Sequence, residues 1–291
     1  FKDNNNNYFI EGSGDPDLSL NDIQILINNI KYSKIINITL SEIKRNIYWP
    51  EGWTSQDKLY KYGSPITTLA INSNSSTNMN INVLKDYIHD YLVSKFPNSE
   101  VNIYINERTN DLKKKTILID TINSNPILSL VTLANSESHN FTSESLFKNA
   151  SNTWNNNTYI KLYFWLKSKG LPIKNLYIAD ASGLSRNNKV TTNLIASFLH
   201  KMKFNNKYEF YASTLSIMGM RGTLAKSEVN NQLNGKFFGK TGTLSNVFSL
   251  SGYLNKKNKI YSISIIQNSK FIDKNRIFNF LNDLYEIEEC N

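Results

Sequence analysis

The sequence predicts an α+β protein, in which a mixed N-terminal region precedes a domain of helices and an antiparallel sheet. Its 291 residues, 40% of them hydrophobic, suffice for one large domain or two modest ones. Near the C-terminus three short β-like segments follow one another with the spacing of an antiparallel meander. Helical patterns precede these segments, and they recur along the sequence from about residue 122 onward.

The elements of this C-terminal domain follow from local patterns. The alternating segments that predict strands are KFFGKT at 236–241, VFSLSGYL at 247–254 and IYSISIIQ at 260–267. Apolar positions at helical spacing predict helices at 126–136, 141–149, 158–169, 191–203 and about 272–287. The last of these helices is amphipathic, so we expect it to pack on one face of the sheet.

The N-terminal region is mixed. Helical spacing predicts helices over 20–31 and 83–95. Alternation predicts strands at 35–40, 66–72, 101–106 and 116–121. We place the boundary so that 1–115 is an accessory region and 116–291 is the second domain.

The charge balance is basic, with 33 Lys and Arg against 24 Asp and Glu, a formal net charge of +9. Such a charge can indicate a nucleic-acid or anionic-surface partner. Here the lysines are scattered, no basic motif interleaved with aromatic residues is present, and heavy use of Asn, Ile and Lys is typical of AT-rich codons. We therefore predict no nucleic-acid partner, and no apolar run approaches the roughly 18 residues of a transmembrane segment.

Cysteine and histidine usage excludes other classes of site. The single cysteine, Cys290, rules out an intramolecular disulfide and a cysteine-based metal centre. The three histidines, His89, His139 and His200, lie far apart without the spacing of metal ligands. Neither a zinc site nor a Ser-His-Asp triad is predicted.

Lys240-Thr241-Gly242-Thr243 stands at the end of a predicted strand. A glycine there lets a ligand approach the strand backbone, and a lysine beside two hydroxyls suits a carboxylate. The alternative interpretation is an edge-strand lysine followed by a turn.

A second motif lies in DASGLSRNN at 180–188. Gly, Ser and Asn are ordinary turn residues, so this stretch can be a plain connection between helices. The functional interpretation is an S-x-N element, in which Ser185 and Asn187 display a hydroxyl and an amide toward a cleft.

S-x-N and K-T-G are, with S-x-x-K, the signatures of penicillin-recognising serine enzymes. The strings DASGLSRNN, MGMRGTL and FFGKTGTLSNVFSLSGY resemble the low-molecular-mass class C penicillin-binding proteins, the D-alanyl-D-alanine carboxypeptidase/endopeptidase family. So do GSGDPDLS, YGSPITTLAIN and PILSLVTLANSESHNFTSESLFK. The resemblance covers most of the chain and is thinnest between residues 73 and 115.

The resemblance implies a transpeptidase domain of the penicillin-binding-protein/β-lactamase type, an antiparallel sheet with flanking helices, joined to an inserted accessory region. It implies a serine-type D-Ala-D-Ala carboxypeptidase/endopeptidase that acts on peptidoglycan stem peptides through an acyl-enzyme and binds β-lactams. No metal or cofactor is implied. The substrate implies a periplasmic or cell-envelope location, although the chain shows no signal-peptide pattern.

The resemblance also assigns roles. Ser185 would relay a proton to the departing D-Ala amine, and Asn187 would hold the peptide carbonyl. Lys240 would hold the terminal carboxylate, and the backbone N–H of Thr243 would form half of an oxyanion hole. The substrate-binding residues would be Thr241, Gly242 and Thr243.

The nucleophile motif departs from the family pattern. In the family, S-x-x-K precedes the segment that resembles GSGDPDLS, so we expect it to fall before Phe1. The chain contains three S-x-x-K matches, the number expected by chance in a sequence this rich in Ser and Lys: Ser41/Lys44, Ser55/Lys58 and Ser145/Lys148.

Three functional hypotheses therefore stay open. The chain is part of a D,D-peptidase whose nucleophile segment lies elsewhere, or a catalytically dead peptidoglycan-binding or regulatory module. The third is a basic nucleic-acid-associated protein with coincidental motifs.

Overall fold

The computed structural model describes residues 1–75, 80–107, 115–151, 154, 158–226 and 231–287. The chain forms two compact units. The first contains Phe1–Asn125 and Glu144–Asn156, and the second contains Pro126–Ser143 and Asn157–Asn291. The functional division at residue 115 stays a prediction.

The first unit is built on a parallel sheet. Its strands are β1 (Tyr8–Glu11), β2 (Ile35–Glu42) and β3 (Glu100–Glu107), in the order β1-β2-β3. Helix α1 (Leu20–Asn28) lies between the first two strands in sequence, and α2 (Ile81–Lys95) precedes β3. Parallel neighbours need such crossover connections, and this explains the alternation of helix and strand.

The core of the first unit follows the two periodicities of its elements. Alternate residues of β2 are buried, and residues four apart are buried on each helix. The buried residues are Ile36, Ile38 and Leu40 of β2, Ile23 and Ile27 of α1, and Leu84, Ile88 and Leu92 of α2.

Two strands predicted in this unit are wrong. Residues 66–72 form no strand, because the backbone N–H groups of Thr68 and Leu69 donate to the buried carboxylate of Glu42 at 2.9 and 3.0 Å. Residues 116–121 form only an isolated bridge between Ile117 and Lys2. Strands 35–40 and 101–106 and both helices are confirmed.

The second unit contains the predicted antiparallel meander. Its strands are β4 (Ser216–Ile217), β5 (Phe237–Leu244), β6 (Val247–Lys256) and β7 (Lys259–Asn268), in the order β4-β5-β6-β7. The two-residue turn at Lys257 and Asn258 has φ angles of +47° and +63°, as a type I′ hairpin turn requires.

Six helices accompany this sheet in the described part of the chain, and α4 contributes residues to both units. They are α3 (Ile127–Ser136), α4 (Asn140–Ala150), α5 (Thr158–Ser168), α6 (Thr192–Lys203), α7 (Tyr208–Ser213) and α8 (Lys274–Glu286).

Both faces of the meander are covered. Phe237, Phe248 and Leu250 share a buried cluster with Phe278 and Leu281 of α8, as the sequence predicts for the terminal helix. A second cluster joins Tyr253 of β6 to Leu199, Tyr208 and Leu215. No helix in the described ranges is long and apolar enough to cross a membrane.

Candidate active site

Lys240 lies within β5 and is held by two hydrogen bonds. Its Nζ donates to the Ser138 hydroxyl at 2.7 Å and to the Thr241 carbonyl oxygen at 2.6 Å. Among the residues that the structure describes, no carboxylate pairs with this lysine. Burial lowers the pKa of Lys240 from 10.5 to about 8, because desolvation disfavours its charged form. A partly desolvated cation of this kind is suited to a ligand carboxylate.

Ser138 lies in the turn between α3 and α4. Its φ angle is +61°, in the left-handed region that residues other than glycine seldom adopt. Asn140, two residues later, begins α4, so Ser138-His139-Asn140 is an S-x-N element. His139 stabilises the turn through a 2.7 Å hydrogen bond between its Nδ1 and the Thr142 hydroxyl.

The sequence alone did not single out Ser138 and Asn140 as site residues. Their signal was the S-x-N pattern itself, within the stretch 126–148 that resembles the family. The sequence contains four S-x-N matches, which begin at Ser19, Ser76, Ser138 and Ser185. The contact with Lys240 is what singles out Ser138.

The structure places Ser185 and Asn187 in a turn organised by Asp180. The Asp180 carboxylate accepts hydrogen bonds from the backbone N–H groups of Ser185 at 2.6 Å and Gly183 at 2.9 Å. The Ser185 hydroxyl accepts the Asn187 N–H at 3.1 Å, and Ser185 is only 2% exposed. This corrects the expectation that Ser185 displays its hydroxyl toward a cleft. The catalytic roles of Ser185 and Asn187 stay predictions.

The K-T-G segment borders an open strand edge. β4 pairs with β5 only at Phe238 and Gly239, so within the described residues no strand covers that edge from Lys240 to Leu244. An open edge can receive an extended peptide as an added strand. Thr243 is exposed here.

A side chain at Gly242 would also approach the paired strand, where the rotatable hydroxyl of Ser249 is the one close atom. A Cβ at this position would lie 2.5 Å from the Ser249 hydroxyl oxygen on the paired strand. The predicted close approach of a ligand is therefore accompanied by a close approach within the sheet.

Two of the S-x-x-K matches have features unlike a nucleophile pair. Ser41 is 1% exposed within β2, and Lys44 forms an ion pair with Glu107 at 3.3 Å. Ser55 and Lys58 are exposed in the segment that follows β2.

The third match lies on α4. Ser145 is buried, and its hydroxyl donates to the carbonyl oxygen of Gly14. Lys148 is also buried, and burial lowers its pKa while the nearby charge of Glu144 opposes that shift. The side chains of Ser145 and Lys148 are therefore packed in the interior of the first unit.

In the described part of the chain, no three or more His, Cys, Asp or Glu side chains lie close enough together to hold a metal ion.

K-T-G lies on a strand of an antiparallel sheet and S-x-N at the start of a helix. This is the arrangement that the resemblance in the sequence implies. The model of the D-Ala-D-Ala carboxypeptidase 3 (S13) family matches residues 76–284. That range is more than half of the chain, and the chain belongs to this family.

Two relatives align at 31% identity. One is the penicillin-sensitive carboxypeptidase A of Dictyostelium discoideum, over 99 residues that cover 31% of this chain and 19% of the relative. The other is the D-alanyl-D-alanine carboxypeptidase of Actinomadura sp. strain R39, over 108 residues that cover 35% of this chain and 20% of the relative. The alignments span about a fifth of each relative's length.

Solved structures share the fold. Penicillin-binding protein 4 of Haemophilus influenzae superposes with a TM-score of 0.73 at 18% identity, covering 96% of this chain and 82% of that chain. A predatory endopeptidase of Bdellovibrio bacteriovorus, solved with an immunity protein, gives 0.59 at 14% identity, covering 98% and 78%. The fold is thus the α+β fold of penicillin-binding proteins, as the sequence predicts.

Proposed function

We propose that this chain recognises the D-Ala-D-Ala end of peptidoglycan stem peptides for a serine-type carboxypeptidase/endopeptidase. The observation that carries the proposal is the contact between Lys240 and Ser138 beside the open edge of β5. Membership of the S13 family supports the same substrate.

In the proposed reaction the substrate adds to the open edge of β5. Lys240 binds the terminal carboxylate, and the hydroxyl of Thr243 adds a donor. The nucleophilic serine attacks the amide carbonyl, the C–N bond breaks and the D-Ala amine leaves with a proton. Ser138 relays that proton, and the Asn140 amide holds the peptide carbonyl. Water then hydrolyses the acyl-enzyme and releases the shortened peptide.

The S-x-N assignment is the part of this proposal that differs from the sequence prediction. Ser138 is preferred to Ser185 because it contacts Lys240 directly, whereas the Ser185 hydroxyl bonds to the backbone of its own turn. Ser185 and Asn187 form the alternative pair.

A second candidate function is recognition without acylation. The buried hydroxyls of Ser41 and Ser145 favour it, because neither is placed as an accessible nucleophile. In that case the chain binds stem peptides through Lys240 and forms no covalent adduct.

We further propose a periplasmic or cell-envelope location and β-lactam binding. The Dictyostelium relative is described as penicillin-sensitive, and a Bdellovibrio endopeptidase with TM-score 0.54 was solved acylated by penicillin G. Both properties belong to those proteins, and they support β-lactam binding as a proposal for this chain.

The test is intact-mass spectrometry after incubation with benzylpenicillin, with stem-peptide binding measured in parallel. An adduct that maps to Ser41, Ser55 or Ser145 would place the nucleophile in this chain. Binding without an adduct would support recognition by this chain, and it agrees both with a nucleophile segment that lies elsewhere and with the second candidate. Folded protein that neither binds the peptide nor is acylated would overturn the proposal.

A further inference from the structure

Three hydroxyl groups connect the K-T-G strand to the end of α3. The Thr241 hydroxyl bonds to Thr223 at 2.9 Å, and Thr223 lies 3.1 Å from the Ser216 hydroxyl. The Ser216 hydroxyl donates to the Ser136 carbonyl oxygen at 2.9 Å. The hydroxyl chain Thr241–Thr223–Ser216 thus ends two residues before Ser138.

Proton counting fixes the direction of this chain. Each hydroxyl has one proton to donate, and a carbonyl oxygen can only accept. Ser216 uses its proton on the carbonyl of Ser136, so Thr223 must donate to Ser216. With its own proton committed, Thr223 accepts the proton of Thr241. The Thr241 hydroxyl is therefore held in one orientation by a partner that is itself oriented.

The loop that carries Thr223 is built for this close approach. Gly222 has a φ angle of +67°, and a Cβ there would lie 2.5 Å from the Ser136 carbonyl oxygen and 2.6 Å from the Ser216 hydroxyl. Leu224 is fully buried, and the Arg221 guanidinium donates to the carbonyl oxygens of Ser213 and Leu215, which precede β4. Thr223 is thus an exposed residue between anchored neighbours.

We propose that Thr223 is a positioning residue, which presets the Thr241 hydroxyl for the ligand carboxylate. The proposal rests on the proposed function. Before the ligand binds, the proton of Thr241 points to Thr223. The bound carboxylate accepts the hydrogen bond of the Thr241 hydroxyl in place of Thr223, while Thr223 continues to donate to Ser216. One hydrogen bond replaces another, and the contribution of Thr223 is a fixed side-chain torsion of Thr241 that the ligand need not order.

The test compares Thr223→Val, which keeps the shape and removes the hydroxyl, with Thr223→Ser, which keeps the hydroxyl. Two probes are titrated: diacetyl-L-Lys-D-Ala-D-Ala and the same peptide with a C-terminal amide. We expect Thr223→Val to weaken binding of the carboxylate peptide about 3- to 10-fold, the cost of ordering the Thr241 side chain on binding when Thr223 no longer presets it. Thr223→Ser should restore affinity to within about twofold, and the amide should bind both variants equally.

A spectroscopic readout separates positioning from general structure. Three-bond couplings of the Thr241 methyl group report its side-chain torsion. We expect one rotamer in the unliganded wild type and in Thr223→Ser, and averaging in Thr223→Val.

Unchanged carboxylate affinity in Thr223→Val, or an equal loss for the amide peptide, would overturn the inference. If the wild type binds neither peptide, the proposed function fails, and the couplings still decide whether Thr223 orients Thr241.

Discussion

The ammonium nitrogen of Lys240 lies 2.7 Å from the hydroxyl oxygen of Ser138, although 102 positions separate the two residues in the chain. The contact joins β5 to the turn between α3 and α4. It places a lysine whose pKa is lowered to about 8 beside a serine held at a positive φ angle. Such a pair, next to an open strand edge, is the basis of the proposed recognition of a peptide carboxylate.

Two serine substitutions distinguish the competing S-x-N elements. Ser138→Ala should weaken stem-peptide binding about 3- to 10-fold, because it removes the partner that positions Lys240. Ser185→Ala should lower the free energy of unfolding by about 1 kcal/mol, because the Asn187 N–H loses its acceptor, and should leave binding unchanged. Calorimetric titration and urea unfolding measure the two quantities. The reverse pattern would restore Ser185 as the catalytic candidate.

The pKa of Lys240 predicts the pH dependence of binding. Below about pH 8 the ammonium is charged and holds the ligand carboxylate, and above that value it is neutral. Affinity for the carboxylate peptide should therefore be flat below pH 7 and fall as the pH rises through about 8. The matched control is Lys240→Met, whose residual binding should lose this transition. A wild-type profile that is flat up to pH 10 would contradict the assignment.

The same lysine predicts a trend in stability. Between about pH 8 and 10.5 the unfolded chain keeps the proton that folded Lys240 has lost. The unfolded state then binds more protons, so the contribution of Lys240 to the free energy of unfolding increases with pH across this window. Urea unfolding of the wild type and Lys240→Met at pH 7.5 and 9.5 isolates this contribution. A difference that does not change with pH would show that the pKa of Lys240 is not lowered.

Asp180 should be a determinant of stability. Its carboxylate accepts hydrogen bonds from two backbone N–H groups and from the Asn188 side chain at 2.5 Å. Asp180→Ala leaves these donors without their acceptor and should lower the free energy of unfolding by about 3 kcal/mol. Asp15→Ala, at another loop aspartate, is the comparison and should cost clearly less. Equal losses in the two variants would remove Asp180 from this role.

The sequence predicted those elements whose causes are local. The strands β5 to β7 alternate, their connections are two residues long, and the terminal helix is amphipathic, so each could be read without knowing the rest of the fold. Residues 66–72 alternate as well. Their backbone donors are nevertheless taken by Glu42, a buried side chain about 26 positions away, and no local pattern reveals that.

The residues of the candidate site also divide into those that a local pattern identifies and those that depend on contacts across the fold. Lys240 and its neighbours could be identified because K-T-G is compact and stands on a predicted strand. Ser138 could not be chosen over Ser185, because the local S-x-N pattern is identical and the discriminating contact is made across the fold. Thr223 carries no motif at all, and its part in the hydroxyl chain depends on three segments that meet only in the folded unit.

The most direct test of the central claim is calorimetric titration of diacetyl-L-Lys-D-Ala-D-Ala into the wild type, Lys240→Met and Lys236→Met. Lys236 is an exposed lysine just before β5 and serves as the matched control for a lost charge. We predict that Lys236→Met binds like the wild type, whereas Lys240→Met loses at least about tenfold in affinity, as expected for a charge-assisted hydrogen bond. Equal binding by all three proteins would show that Lys240 does not hold the carboxylate and would contradict the proposed site.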